Sequence, residues 1–548
     1  DSPTNISTTT LCWAALYMDT EDTSAVATLT KADAWLRNNV GELNPDTIAK
    51  TICEAYGIDR TFSVPILTMC AISGRFGSGR KAWQGIPRLP FELGAIPRIW
   101  FSRLGLPVVS YALPALIAIG IALHHHNPTR NPVLRRLRNW TRPKTLRVLT
   151  EIQPASGGFL EAAPLTSFVT MALLQREKSD HPVIRKSIEF LVDTVRDDGS
   201  WPIDTNLCFW LSTLSIKSLA TKDGFDDALS TPEQEDLLAW ILEVQTKTVH
   251  TYTLAAPGGW AWTDLSGGVP DGDDTPGALL ALHHLATAND KIHDPKIRAS
   301  AEAGVQWLLD LQNRDGGIPT FCRGFGKLPF DESSADLTAH TLRAWLAWRD
   351  ELGNALQTRI DKAGAKAIRF LLKTQRDDGS WTPLWFGNQN EKNQQNPLYG
   401  TTHTLRIPPL PATLLDPPLK AKWVAAEDKA IQWLLTAQHS NGGWGGAAGV
   451  VATIEETAYA IDALASLLDS PLRFDESKRA QLQDALHQGC EWLALHTETG
   501  TRFDPAPIGL YFANLWYHEK LYPLIHTVSA LTHARPHLPQ GDTTRSNA

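Results

Sequence analysis

The chain has 548 residues, 43% hydrophobic and 20% charged, with a net charge of −8. That length exceeds what one hydrophobic core ordinarily supports, so two or more domains are expected, and the mild acidity supplies no basic field for nucleic acid. Trp is the outlier, with 20 copies against 9 Tyr and 3 Met, which calls for a repeated aromatic device or a pocket lined with large π-faces. The cysteines Cys12, Cys53, Cys70, Cys208, Cys322 and Cys490 share no C-x-x-C spacing. They read as buried thiols suited to a reducing cytoplasm, not as a disulfide frame or a zinc site. The opening Asp1-Ser2-Pro3 carries neither the charged nor the apolar part of a secretory signal.

In chain order, the first long apolar stretch is Leu104 to Leu123, almost uncharged and long enough to cross a bilayer. Pro107 and Pro114 interrupt it, with Gly105 and Gly120 beside them. A kinked core helix is the expected form, and a helix dipping into a membrane face is the alternative.

Repeats organise the rest. WLLDLQNRDGGI from Trp307, FLLKTQRDDGSW from Phe370 and WLLTAQHSNGGW from Trp433 align without gaps, so Gln312, Gln375 and Gln438 recur at one equal spacing. FLVDTVRDDGSW from Phe190 and WILEVQ from Trp240 are earlier relatives, and Trp492-Leu493 is a weak later echo. Each Gly-rich turn is followed by a Thr- and Ala-rich apolar stretch, such as ETAYAIDALASLL. Apolar spacing on both flanks is helical, so the unit reads as helix, glycine turn, helix. The glycines supply positive φ, the Gln amides reach terminal backbone groups, and the Trp rings cover helix ends. Units of this kind bury their faces only side by side, and six helix pairs closing into a ring give an α/α barrel.

The string PDGDDT places Asp271, Asp273 and Asp274 just before an apolar helix. The plain reading of such a cluster is a helix cap or a metal loop, since carboxylates are favoured at a helix N-terminus. Downstream, Asp336 and His340 stand one turn apart in SSADLTAHTLRAWL and share a helix face.

The Gln–Trp repeats together with P-D-x-D-D-T and D-x-T-A-H resemble the triterpene cyclases, specifically the squalene–hopene cyclase type of class II terpene cyclase. The resemblance covers nearly the whole chain. It implies an all-α protein of two α/α barrel domains, β and γ, with an apolar active cavity between them. Residues 1–185 would be the γ part and 186–548 the β part carrying the acid motif. NISTTTLCWAALYM resembles an internal segment of the family, so the γ part is expected to be incomplete at its start. The implied reaction is protonation-initiated cyclisation of a linear polyprene, squalene or a related isoprenoid, with Asp273 as proton donor. Asp271 and Asp274 would tune it, His340 as an imidazolium would stabilise its anion, and Asp336 would orient the histidine or a water. Asp204 matches a family W-D-T segment in which the Trp is replaced by Ile203.

Protonating an unactivated alkene makes two demands on an aspartate. It must stay protonated near neutrality, which burial and like charges favour, and it must release its proton on demand, which a donating partner favours. The titration belongs to the whole cluster. Cations formed afterwards are held by π-faces, which attract without acting as bases. By the resemblance those are Trp262, Phe321, Trp385, Tyr399 and the pair Tyr511 and Phe512, with an upstream family Trp falling near Ser110 or Tyr111. Core packing is the plain reading of each. The resemblance further implies peripheral contact with a membrane and leaves a homodimer open. No cofactor or metal is expected. Three other readings are weighed. A cyclase of a prenyl diphosphate would use Arg323 and Lys327 for the head group. A protein prenyltransferase would need a zinc site of Asp, Cys and His that no motif supplies. A non-catalytic binding module would keep only the barrel.

Overall fold

The computed structural model describes residues 4–18, 23–57, 60–103, 108–220, 224–470, 474–510 and 515–538. Tyr511 and Phe512 lie outside these, as do Leu104, Gly105 and Pro107 of the apolar run.

The glycine-turn units fold as the repeat implies. In three successive units the Gln side chain donates from Nε2 to two carbonyls at once. Gln312 reaches Gly316 O (2.8 Å) and Ala363 O (2.9 Å), Gln375 reaches Gly379 O (2.9 Å) and Ala426 O (2.8 Å), and Gln438 reaches Gly442 O and Ala485 O (both 2.9 Å). One carbonyl belongs to the unit's own turn and the other to the next outer helix, so each Gln joins neighbouring units. The Trp after the turn closes it: Trp381 Nε1 donates to Leu371 O and Trp444 Nε1 to Leu434 O, at 2.8 and 2.9 Å. The Trp backbone N–H is taken by a Thr hydroxyl on the following helix, Thr401 or Thr457. Gly379 sits at φ +94°, and a Cβ there would lie 2.7 Å from Lys429 O, so both conformation and space require glycine. Replacing Gln375 with Leu strips the carbonyls of Gly379 and Ala426 of their shared donor. It is expected to cost about 1–3 kcal/mol, read as a lower denaturation midpoint with helicity retained at room temperature.

Side by side, these units close a ring. The inner helices are Cys208–Ser218, Asp274–Ala288, Ala335–Trp348, Pro397–Leu405, Ile454–Leu468 and Tyr522–Ala534. Each packs on the next, and the last packs on the first. Helices Thr231–Val244, Pro295–Leu311, Asn354–Thr374, Pro417–Ala437 and Glu476–His496 alternate with them in sequence and cover the outside. This is an α/α barrel with its own core, centred on residues such as Trp260, Trp345, Trp348, Trp381 and Trp444. Among the described residues, sheet is confined to two small antiparallel ladders, Ile318–Pro319 with Ser333–Ser334 and a three-stranded one of Phe386–Gly387, Ile508–Leu510 and Leu515–Tyr517.

The N-terminal part has a separate core of inner helices covered by outer ones. Ile6–Leu16, Ser63–Ile72, Val108–His126 and Ala163–Leu173 are inner, and Thr23–Val40, Pro45–Ala55, Pro132–Ile152 and Pro182–Asp193 cover them. Gln153 donates to Gly157 O and Val183 O, a unit that the repeat search missed because Val148 stands five residues before the Gln where the others have an aromatic. Val183 and Ile184 belong to this N-terminal core. The division expected at residue 185 therefore falls inside the helix Pro182–Asp193, and we propose the lobe junction at 194–207. Val108–His126, which carries most of the apolar run, is a core helix: 72% of its apolar window is buried, with Pro114 inside it.

Candidate active site

The acid motif lies where the N-terminus of an inner helix meets the small ladder. Gly272 N–H donates to Thr320 O at 2.6 Å, and a Cβ on Gly272 would lie 2.4 Å from Pro319 O. Glycine between Asp271 and Asp273 thus lets the loop press against the ladder. Asp271 caps the helix, its Oδ1 accepting from the backbone N–H of Asp273 (2.8 Å) and Asp274 (2.7 Å). The cap reading of the cluster therefore holds for Asp271. It leaves Asp273 as the member whose side chain faces elsewhere: Asp273 Oδ1 is 2.8 Å from His340 Nδ1.

The cluster's electrostatics follow from burial. Removal from water pushes Asp273 up to about 7, with Lys217 pulling the other way. Burial pushes Asp271 to about 7 against its two backbone donors. Asp274 is raised well above the carboxylate range by burial and by the adjacent Asp271. A neutral acid near pH 7 is thus what this site favours at Asp273. His340 departs from the expected imidazolium. Burial lowers it well below the usual range, and Lys217, Arg343 and Arg406 lower it further, so the ring is neutral. Asp336, one turn before His340, takes its hydrogen bond from Ser334 Oγ, and no bond between Asp336 and His340 occurs among the described residues. Burial raises Asp336 to about 6.

The sequence missed Lys217. Its Nζ is 3.3 Å from His340 Nε2, on the side of the ring away from Asp273. Lys217, His340, Arg343 and Arg406 line a cavity of about 40 Å³ inside the barrel ring. Arg406 pairs with Asp462 at 2.9 Å. The available signal was a cation in, or at the end of, each of three apolar inner helices: Lys217 seven residues after Trp210, Arg343 three after His340, Arg406 seven after Tyr399. Those spacings put each cation on the same inward stripe as an aromatic or histidine.

The predicted aromatics divide into two groups. Trp262, Phe321 and Trp385 come together at the junction of the lobes, with Phe321 centred 6.3 Å from Trp262 and 6.1 Å from Trp385. Phe330, absent from the sequence reading, joins them at 5.8 Å from Phe321. Tyr111 reaches in from the N-terminal lobe, 5.4 Å from Phe321, and its hydroxyl donates to Phe321 O. The rings pack on one another, whereas an open apolar cavity was expected there. Tyr399 is not among them. It lines the cavity inside the barrel, stacked on His403 at 4.0 Å and edge-on to Tyr459. Asp204 lies at the lobe junction, bridged to Ala162, and is raised to about 7 by burial and by Glu161. Glu161 was also missed. It is buried, accepts from Ser156 Oγ and Gly267 N–H (both 2.7 Å), and so ties the two lobes. Arg323 and Lys327 are exposed on a loop folded around Asp331, whose carboxylate accepts the N–H groups of Phe325, Lys327 and Leu328.

Comparison with known proteins meets this geometry at the same helices. The model of the squalene–hopene cyclase C-terminal domain matches residues 207–501, more than half the chain and all but the last inner helix of the barrel. The terpene cyclase–glycosyl transferase fusion protein fsoA of Humicola fuscoatra is 29% identical over 74% of this chain and 31% of its own length. The squalene hopane cyclase afumA of Aspergillus fumigatus is 28% identical over 67% of this chain and 60% of its own. The chain thus spans between about a third and three fifths of these relatives. Among solved structures, the ent-copalyl diphosphate synthase from Streptomyces platensis aligns with 97% of this chain and 96% of its own, at 17% identity and a TM-score of 0.47. On the family match, this chain belongs to the squalene–hopene cyclase family.

Proposed function

We propose that this protein is a class II terpene cyclase that protonates the terminal alkene of a linear polyprene from Asp273 and folds it into fused rings. The observation that carries the reading is the Asp273 carboxyl, half-buried, raised to about 7 and hydrogen-bonded to a neutral histidine. Its proton adds to the less substituted alkene carbon, the tertiary cation is attacked by the next alkene, and the ring system grows away from the acid. Trp262, Phe321, Phe330 and Trp385 stand at the lobe junction as π-faces for the migrating charge. Their present ring-to-ring packing means that they part as the polyprene enters. Squalene or a related isoprenoid without a charged head is favoured, because Arg323 and Lys327 face solvent. Incubation with squalene and with prenyl diphosphates in D₂O tests this. The expected result is a polycyclic product carrying one deuterium at the initiation carbon, independent of Mg²⁺. Cyclisation of the diphosphate alone would shift the reading to the diphosphate branch, and no cyclic product from any polyprene would end it.

A water-insoluble substrate calls for a membrane face, and helix Pro132–Ile152 offers one. Val133, Leu137 and Trp140 fall on one stripe, 76%, 41% and 78% exposed, flanked by exposed Arg135, Arg136 and Lys144. An exposed apolar stripe edged with basic residues suits the interface of an anionic bilayer. The protein is expected to co-sediment with vesicles of phosphatidylcholine and phosphatidylserine, and the double variant Val133→Ser, Trp140→Ser to stay in the supernatant. Equal sedimentation of the two would remove this face.

A further inference from the structure

This inference deepens the cyclase reading and rests on it for its consequence, but not for its geometry. His340 is held from both sides. Nδ1 lies 2.8 Å from Asp273 Oδ1 and Nε2 lies 3.3 Å from Lys217 Nζ. A neutral imidazole has one N–H and one lone pair, and the partner of either nitrogen fixes where the proton is. Lys217 presents donors only when charged, and an N–H on Nε2 would then point hydrogen at hydrogen. The ammonium therefore donates to the Nε2 lone pair, the ring proton sits on Nδ1, and Nδ1–H donates to Asp273 Oδ1. The acidic proton of Asp273 is left on Oδ2, clear of the histidine.

We propose that Lys217 is a positioning residue that locks His340 in its Nδ1–H tautomer, so that the histidine donates to Asp273 and cannot accept the proton meant for the substrate. In the opposite tautomer the Asp273 hydroxyl would donate to a bare Nδ1. Its proton would then be sequestered behind the acid, and full transfer would leave an imidazolium and a carboxylate, an ion pair with no proton to give the alkene. The surroundings reinforce the lock. Arg343 and Arg406 line the same cavity and, with Lys217, disfavour a second charge on the ring. Lys217 itself is lowered to about 7 by burial, then by Arg343 and Arg406, while Asp273 and Asp274 hold it up. Lys217 also faces the Trp210 ring, with Nζ 5.5 Å from the centroid, and Trp210 Nε1 is fixed by Tyr522 Oη at 2.9 Å. The ammonium is thus seated between an aromatic face and the histidine.

The test reads the tautomer directly. In full-length protein carrying ¹⁵N-histidine, the His340 signals are assigned by their loss in His340→Gln. At pH 6.5 the wild type is expected to show a protonated Nδ1 and a bare Nε2. Lys217→Met is expected to lose that pattern, with Nε2 becoming protonated, and Lys217→Arg to restore it, since a guanidinium also donates only. On the polyprene that the wild type cyclises, Lys217→Met is expected to lower kcat by about 10²-fold with KM changed less than about twofold, and Lys217→Arg to recover most of kcat. A protonated Nε2 in the wild type overturns the proposal whether or not any variant folds. So does an unchanged His340 pattern, or an unchanged kcat, in Lys217→Met. The spectra need no substrate, so a wild type that cyclises nothing defeats the cyclase reading and leaves the lock to be judged by the nitrogen signals.

Discussion

Asp273→Asn is expected to slow cyclisation of any polyprene the wild type accepts by about 10³-fold or more. Asparagine keeps the size of the side chain, and its carbonyl oxygen still accepts from His340 Nδ1, so the site's shape survives. What is lost is the O–H that burial keeps in place near pH 7. The stability effect runs the other way. A carboxyl whose folded pKa is raised to about 7 from an unfolded value near 3.9 favours the fold fully only below the unfolded value. That contribution is lost as pH rises towards the folded value, and above it the wild type bears the whole cost of an ionised, buried carboxylate. Asn bears none of it. Thermal midpoints of variant and wild type should therefore converge towards pH 4, with the variant the more stable at pH 8. The wild-type rate should fall as pH rises through about 7, where Asp273 ionises. Near-normal turnover by Asp273→Asn would place the proton donor elsewhere.

Removing Asp462 is expected to be the most damaging single change to the barrel, at about 3–5 kcal/mol for Asp462→Ala. Only 6% of its side chain is exposed, yet it forms an ion pair with Arg406 (2.9 Å) and accepts hydrogen bonds from His533 Nδ1 (2.6 Å) and Ser529 Oγ (2.9 Å). Burial works against its charge, but Arg406, His533 and Ser529 outweigh burial and hold it below the usual carboxylate range. Alanine leaves the Arg406 guanidinium inside the ring without its counter-ion, beside Lys217 and Arg343, and this uncompensated charge is the main cost. A depressed carboxylate pKa contributes stability above the unfolded value and loses it as pH falls through the folded one. The gap in chemical-denaturation midpoint should thus be full at pH 7 and narrow below about pH 4. A midpoint within experimental error of wild type at pH 7 would mean that Arg406 finds another partner.

Much of the architecture was legible because its cause is local and repeated. Gln312, Gln375 and Gln438 recur at equal spacing, since each performs the same two hydrogen bonds in the same turn. The glycine after each is fixed by positive φ and by a carbonyl too close for a Cβ. The acid segment stood out as three carboxylates before an apolar helix, and the division of roles between a capping Asp271 and an Asp273 turned to His340 came from the structure. Where the repeat lost one element, as at Gln153, the same unit went unread.

The sequence by itself thus determined the helical units and their closure into a barrel, and it singled out Asp273 through the resemblance of P-D-x-D-D-T to the family motif. Only the tertiary structure decided what stands behind that aspartate. Lys217 and His340 are on different helices of the ring, 123 residues apart, and no local pattern ties the charge of one to the tautomer of the other. Tyr399 and Trp385 are close in sequence, yet one faces the barrel interior and the other the lobe junction, because the strand Phe386–Gly387 lies between them. Charge state was hidden for the same reason. The sequence placed a histidine beside an acid and suggested an imidazolium, whereas burial of the ring and three cations from three different helices make the neutral ring the lower-energy form.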